Sequence, residues 1–176
     1  MNTAWLFLKN LLFTVVVPGF VAGWVPLRWF ERHAAWPQGW VWANTLGAVV
    51  FALGAATYLH CVWYFMTKGR GTPAPIDPPK KLVQRGLYRW TRNPMYLGVL
   101  ALVAGEGLFL QSWHIAVYLL CLACAFHIMV ALVEEPALGY RFGAMYEDYK
   151  RTAPRWWPRQ PRPPLQTVAP FDLDPR

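Results

Sequence analysis

Four long runs of apolar residues restrict what this chain can fold into. They fall at positions 5–25, 40–66, 95–110 and 113–133. An α-helix of about 20 apolar residues is long enough to cross the ~30 Å hydrocarbon core of a bilayer. Helices also satisfy their backbone polar groups internally, as lipid requires. The sequence therefore predicts an all-α integral membrane bundle of four transmembrane helices.

The composition excludes two other classes of protein. Charged residues make up 15% of the 176 positions, whereas an average soluble domain carries about 25%. Hydrophobic residues reach 56%, which excludes a disordered chain. The apolar residues come in blocks rather than in alternation, which argues against a soluble α/β enzyme.

The three cysteines do not predict a metal or redox centre. Cys61, Cys121 and Cys124 all lie inside apolar runs, so no disulfide framework is indicated. Cys121 and Cys124 have a C-x-x-C spacing, but neither a second cysteine pair nor a βαβ context accompanies them. We expect no metal ion.

The positive charge has a topological explanation. The formal charge is +8, from 17 Lys and Arg against 9 Asp and Glu. Four spans place Lys9, the connection between the second and third spans, and the basic tail on one side, leaving Arg28 and Arg32 on the other. Because basic loops stay in the cytoplasm, we expect a multi-pass protein with both termini cytoplasmic. Nucleic acid binding is not needed to explain the charge and is not expected.

Two cytoplasmic pieces remain. The connection at 67–94 opens with many Pro and Gly residues and is expected to be a loop. The tail has apolar side chains at the spacing of an amphipathic helix: Leu138, Phe142, Tyr146 and Tyr149. Beyond it, 154–176 is rich in Pro and Arg and is expected to be poorly ordered.

These features divide the chain into three parts. The first two spans, 1–66, form a scaffold. The loop, the last two spans and the cytoplasmic helix form a second unit at 67–158. The Pro- and Arg-rich tail occupies 159–176.

Two adjacent acids directly follow the fourth span. A helix C-terminus favours cations and like charges repel, so Glu134 and Glu135 lack a structural reason to be there. We interpret them as groups that bind ribose hydroxyls or a cationic ligand; a solvated helix end is the alternative. His127 lies seven residues earlier and projects from roughly the same face. Its role is left open, as is that of His60, while Glu106 near the far end is expected to be structural.

The third span begins at Arg92-Asn93-Pro94-Met95-Tyr96. Pro94 suits the first turn of a helix, and Arg92 can extend to lipid phosphate. A helix N-terminus also offers free N–H groups to an anion such as a carboxylate, and Tyr96 lies one turn further in. This segment is therefore a second candidate for ligand binding.

Two motifs resemble the isoprenylcysteine carboxyl methyltransferase and phospholipid methyltransferase superfamily. The first is Leu82-Val83-x-x-Gly86-x-Tyr88-x-x-x-Arg92-Asn93-Pro94-Met95-Tyr96-Leu97-Gly98. The second is Glu134-Glu135-x-x-Leu138-x-x-x-Phe142-Gly143-x-x-Tyr146-x-x-Tyr149, followed by Pro154. Together they cover about residues 67–158, over half of the chain.

The resemblance implies an integral membrane methyltransferase that uses S-adenosylmethionine in a cytoplasmic pocket. It assigns Leu82, Val83 and Tyr88 to the adenosyl part of the pocket. It assigns the methionine end and the sulfonium to a second group: Asn93, Pro94, Met95 and Tyr96. Glu134 and Glu135 would bind the ribose or the amino group of the cofactor. A lipophilic substrate would enter sideways from the bilayer, with membrane lipid as the surrounding partner.

The methyl acceptor is open between two classes, of which the isoprenylcysteine carboxylate is the first expectation and the phospholipid headgroup amine is the alternative. In isoprenylcysteine carboxylate O-methylation the acceptor is already ionised, and Arg92 would orient it. In phospholipid headgroup N-methylation the amine must lose a proton, and Glu135 or His127 is the candidate base. Arg92 and Glu135 are therefore the candidate catalytic residues.

A non-enzymatic alternative also explains the spans and the charge. It is a small membrane scaffold or lipid-binding subunit whose basic loop contacts anionic headgroups. It does not explain paired glutamates beside an Asn-Pro-Met-Tyr helix start. The oligomeric state is not indicated by the sequence.

Overall fold

The computed structural model describes residues 8, 12, 14–16, 18–28, 41–69 and 82–160. Helices joined by short turns account for the regular structure of these residues, with no strand among them. The all-α prediction is confirmed for this part of the chain. The predictions for the Pro/Gly-rich start of the loop and for 161–176 lie outside the described residues.

The α-helices, in chain order, have the following bounds: α1 Thr14–Arg28, α2 Trp42–Tyr64, α3 Pro94–Phe109, α4 Trp113–Met129, α5 Glu135–Phe142 and α6 Ala144–Thr152. Three π-helical stretches interrupt or extend them: Phe20–Trp24 within α1, Phe65–Gly69 after α2, and Val130–Glu134 between α4 and α5. A 3-10 turn, Gly86–Arg89, precedes α3. The π-helical stretch joins α4 to α5 without a break, so the two form one continuous helix.

Two of these helical segments are long and apolar enough to cross a membrane. They are Trp42–Thr67, with 26 residues, and Trp113–Phe142, with 30. Thr14–Arg28 and Pro94–Phe109 are apolar but shorter. The 16 residues of α3 extend only ~24 Å at ~1.5 Å per residue, less than the thickness of a typical hydrocarbon core. The four-span bundle therefore remains a prediction.

Glycines hold α2 and α3 in close contact. A Cβ placed on Gly54 would lie 2.7 Å from the backbone N of Leu102, and one on Gly98 would lie 3.0 Å from the N of Tyr58. Side chains at these positions would therefore push the helices apart. These close contacts fix α2 and α3 against each other. The loop that leads into α3 therefore ends on a rigid pair of helices.

The predicted amphipathic tail helix is divided in two. Gly143 ends α5 and precedes α6 with φ 52° and ψ −130°, a conformation that favours glycine. The four apolar side chains of the predicted stripe nevertheless pack in one cluster, which Leu82 and Ala153 join. The spacing identified the shared face correctly, but it did not indicate the turn within it.

Residues 153–159 differ from the sequence-based expectation. This segment, called the strap below, was expected to be poorly ordered from residue 154 onward. Instead, the backbone N–H of Arg92 donates to the Pro154 carbonyl at 2.9 Å, and that of Arg159 donates to the Trp90 carbonyl at 3.0 Å. The strap thus lies against the loop that leads into α3.

Candidate functional site

One cavity of about 430 Å³ lies where the loop before α3 meets the ends of the helices. Its polar lining comes from the loop, the start of α3 and the α4–α5 junction: Arg92, Asn93, Tyr96, Glu134 and Glu135. Its apolar lining includes Val99, one turn further along α3, and Phe126, eight residues before Glu134. Pro18 and Val21 of α1 add to this apolar part. The cavity therefore joins a polar compartment to an apolar one deeper among the helices.

The structure brings most of the sequence-predicted site residues together around this cavity. Its lining includes Leu82, Val83, Tyr88, Arg92, Asn93, Met95, Tyr96, Glu134 and Glu135. Pro94 differs: it is buried at the first turn of α3 and borders another cavity beside Trp90 and Pro158. Pro94 starts the helix but is not part of the lining of the cavity that the other nine residues share. The ligand-binding roles of all ten residues remain predictions.

Glu135 is held by two arginines from different parts of the chain. Nη2 of Arg92 donates to Oε1 at 2.7 Å. Arg155 makes a two-point contact, with Nε donating to Oε1 and Nη2 to Oε2, each at 2.8 Å. Because both carboxylate oxygens accept hydrogen bonds from guanidinium groups, Glu135 is poorly suited to take a proton from a substrate.

The Arg92 side chain is largely buried, and both of its terminal nitrogens donate hydrogen bonds. Its side chain is 9% exposed, and Nη1 donates to the carbonyls of Lys150 at 3.2 Å and Ala153 at 3.1 Å. Its Nε is buried and has no hydrogen-bond partner among the described residues. A guanidinium is always charged, so Arg92 adds a positive charge to the lining of the cavity.

Glu134 has a different environment from its neighbour. The Tyr96 hydroxyl donates to Glu134 Oε1, and the Tyr96 ring packs against Phe126 with centroids 4.6 Å apart. Within the described ranges no Lys or Arg pairs with Glu134. Its carboxylate therefore gives the cavity an acidic group that no Lys or Arg in the described part of the chain neutralises.

Two buried tyrosines fix the outer wall of the cavity. The Tyr149 hydroxyl donates to the Tyr88 carbonyl at 2.6 Å, and the Tyr88 ring meets Phe65 edge-on at 5.6 Å. Burial raises the pKa of both phenols well above the ordinary value, so both are neutral at physiological pH. Gly86, with φ 62°, allows the turn that precedes Tyr88. These contacts join the loop to α2 and α6.

The roles of His127 and His60 are open from the sequence, and Glu106 is expected to be structural. All three residues lie outside this cavity. His127 is exposed on α4, and its Nδ1 accepts a hydrogen bond from Trp156 Nε1 at 3.0 Å. The His60 ring lies beside the Tyr64 ring, with centroids 4.7 Å apart and planes tilted by 30°. Glu106 borders a separate cavity near the other end of α3. His127 is therefore not placed to act as a base within the cavity.

Arg155 is the functional candidate that sequence reasoning missed. The arginines of the tail were explained together as topological charge, and nothing in the spacing distinguishes this one. A specific signal does precede it, because Pro154 ends the second motif.

Comparison with known proteins identifies the family of the chain. The family profile described as Phospholipid methyltransferase matches residues 42–145, more than half of the chain. The matched part contains α2 to α5 and the polar residues of the cavity, and it confirms the resemblance found in the two motifs. Searches of curated proteins and of solved structures found no significant match. The chain belongs to the phospholipid methyltransferase family and is a membrane methyltransferase.

Proposed function

We propose that the chain transfers a methyl group from S-adenosylmethionine to a lipid that reaches the cavity from the bilayer. One observation carries the proposal: a single cavity joins the polar groups of the loop and the α4–α5 junction to an apolar compartment among the helices. Its volume of about 430 Å³ lies within the ~300–1,000 Å³ usual for small-molecule sites.

The described residues suit the cofactor in three respects. The charged guanidinium of Arg92 suits the carboxylate of an amino acid. Glu134, which no described cation neutralises, suits an ammonium or sulfonium group. The buried Val83 and Tyr88 give a surface for an adenosine ring. S-adenosylmethionine presents all three features: an amino acid end, a sulfonium and an adenosine.

The cofactor supplies an electrophilic methyl group, so the protein needs mainly to position both reactants and exclude water. Tyr96 and Phe126 lie between the polar and apolar compartments, and their two rings are in contact with each other. The apolar lining, including Val99 and Val130, excludes water from the side of the acceptor.

An amine acceptor is the better fit. A protonated amine has to lose a proton before it attacks, and Glu134 is the carboxylate available to accept it. This assignment replaces Glu135 and His127, the bases suggested by sequence, because the arginines engage Glu135 and His127 does not line the cavity. We therefore place a lipid headgroup amine first.

The isoprenylcysteine carboxylate remains the second candidate. The guanidinium of Arg92 in the cavity lining favours it, since a carboxylate acceptor needs a cationic donor and no base. If Arg92 binds the cofactor carboxylate instead, its charge is not available to this acceptor. The cofactor carboxylate and the acceptor carboxylate thus compete for one guanidinium.

The test is methyl transfer by the purified protein in lipid vesicles. Radiolabelled S-adenosylmethionine is supplied with either phosphatidylethanolamine or an isoprenylcysteine analogue, and the labelled product is identified by mass analysis. We expect label in the amine, and label only in the carboxylate would reverse the order of the candidates. No cofactor binding and no transfer to either would favour the scaffold or lipid-binding subunit.

A further inference from the structure

We infer that Arg155 is a positioning residue that orients Glu135 and, through it, Arg92 for ligand binding. The inference rests on the proposed function, because its effect is measured in cofactor binding. Arg155 does not line the cavity, whereas Glu135 and Arg92 both do. Its guanidinium contacts Glu135, so we expect its effect on a ligand to pass through that carboxylate and through Arg92.

The geometry of the contact fixes the orientation of the Glu135 carboxylate. Arg155 engages both oxygens through Nε and Nη2, each at 2.8 Å, while Arg92 reaches only Oε1. A two-point contact prevents rotation of the carboxylate, which a single contact does not. Arg155 is 34% exposed and Arg92 is 9% exposed, so Arg155 holds Glu135 from the outer side.

The backbone of Arg155 orders a second cavity residue. Its carbonyl accepts hydrogen bonds from Asn93 Nδ2 at 3.0 Å and from Thr91 Oγ1 at 2.9 Å. Asn93 is a buried part of the cavity lining. The same strap residue thus determines the orientation of an amide through its backbone and of a carboxylate through its side chain.

The strap is fixed on both sides of Arg155. On one side, the Pro154 carbonyl accepts from the backbone N–H of Arg92. On the other, Trp156 donates to His127 and meets the Tyr96 ring edge-on, with centroids 6.3 Å apart. These contacts leave little freedom in where the Arg155 side chain can point, so it reaches Glu135 with its orientation set in advance.

A purely structural role is the competing explanation. In that case the loss of Arg155 would lower thermal stability, with coupling to Glu135 in Tm, but it would leave the affinity for the cofactor unchanged. A positioning role instead predicts coupling between the two residues in cofactor binding. The variants Arg155→Ala, Arg155→Lys, Glu135→Gln and Arg155→Ala/Glu135→Gln separate the two explanations.

Arg151→Ala is the matched control. Arg151 is 68% exposed, and its nearest acid is Asp148 on the same helix at 3.6 Å. The substitution removes the same charge from nearby sequence without touching Glu135. Each variant is compared by calorimetric affinity for S-adenosylmethionine, by KM and kcat for methyl transfer, and by Tm.

We expect Arg155→Ala to raise the KM for S-adenosylmethionine about tenfold, with a smaller change in kcat, and Arg151→Ala to match the wild type. Arg155→Lys should not restore the KM, because an ammonium cannot make the two-point contact. In the Glu135→Gln background, Arg155→Ala should add little further effect.

Three results would overturn the inference: an Arg155→Ala variant like the control, a wild-type KM in Arg155→Lys, or effects that multiply in the double variant. Should the Glu135→Gln proteins fail to fold, the comparison of Ala and Lys at 155 decides. Wild-type protein that neither binds the cofactor nor transfers methyl contradicts the proposed function as well. Active wild-type protein with any of the three results contradicts only the role of Arg155.

Discussion

Glu134 and Glu135 are neighbours in the chain, yet their carboxylates have different kinds of partner. Glu135 is paired with Arg92 and Arg155, whereas Glu134 accepts a hydrogen bond from the neutral phenol of Tyr96. The Glu135 carboxylate therefore joins the loop to the strap, whereas the charge of the Glu134 carboxylate remains available in the cavity.

The first prediction compares the two glutamates. Glu135→Gln should lower the free energy of unfolding by about 3 kcal/mol, because Arg92 loses its charged partner while remaining buried. Glu134→Gln should keep the wild-type Tm, since the amide can still accept from Tyr96. It should nevertheless reduce cofactor affinity and turnover. Thermal unfolding in detergent and calorimetry distinguish the variants, and equal losses of Tm in both would contradict this division.

The second prediction concerns the Tyr96 hydroxyl. Tyr96→Phe keeps the ring contact with Phe126 but removes the donor to Glu134. We expect kcat to fall about tenfold with little change in Tm, because a hydrogen bond to a charged group is lost while the packing is retained. Tyr96→Ala should lose turnover to a greater extent while still inserting into membranes. A wild-type rate in both variants would remove Tyr96 from the site.

The third prediction tests the close packing of α2 and α3. Gly54→Val should destabilise the protein by about 1–3 kcal/mol, because its side chain would meet the backbone of Leu102. Gly23→Ala is the control, since a Cβ at Gly23 would meet no atom of the described residues within 4 Å outside its own helix backbone and chain neighbours. Thermal unfolding measures both. A Gly54→Val protein as stable as the control would show that the helices are not held together at this point.

The fourth prediction concerns topology. Four spans and the distribution of basic residues predict that both termini are cytoplasmic. A reporter active only in the cytoplasm, fused to either end, should be active in both fusions. Activity at one end alone would indicate an odd number of spans and would require a different role for α1 or α3.

The sequence predicted the elements of the site better than their connections. Arg92, Tyr96 and Glu134 were recognised because each belongs to a local pattern at a helix end. The pairing of Glu135 with Arg155 joins positions 20 residues apart across the turn at Gly143. Helical periodicity continues across that turn and so does not indicate it. The order of residues 153–159 was likewise missed, because their partners are backbone groups, which composition does not reveal.

The most direct measurement of the central claim is the structure of the purified protein with S-adenosylhomocysteine bound. We predict that the adenosyl group contacts Val83 and Tyr88 and that the carboxylate pairs with the Arg92 guanidinium, while Glu134 faces the homocysteine sulfur. A nucleoside bound outside this cavity, or a complex in which neither Arg92 nor Glu134 contacts it, would contradict the account.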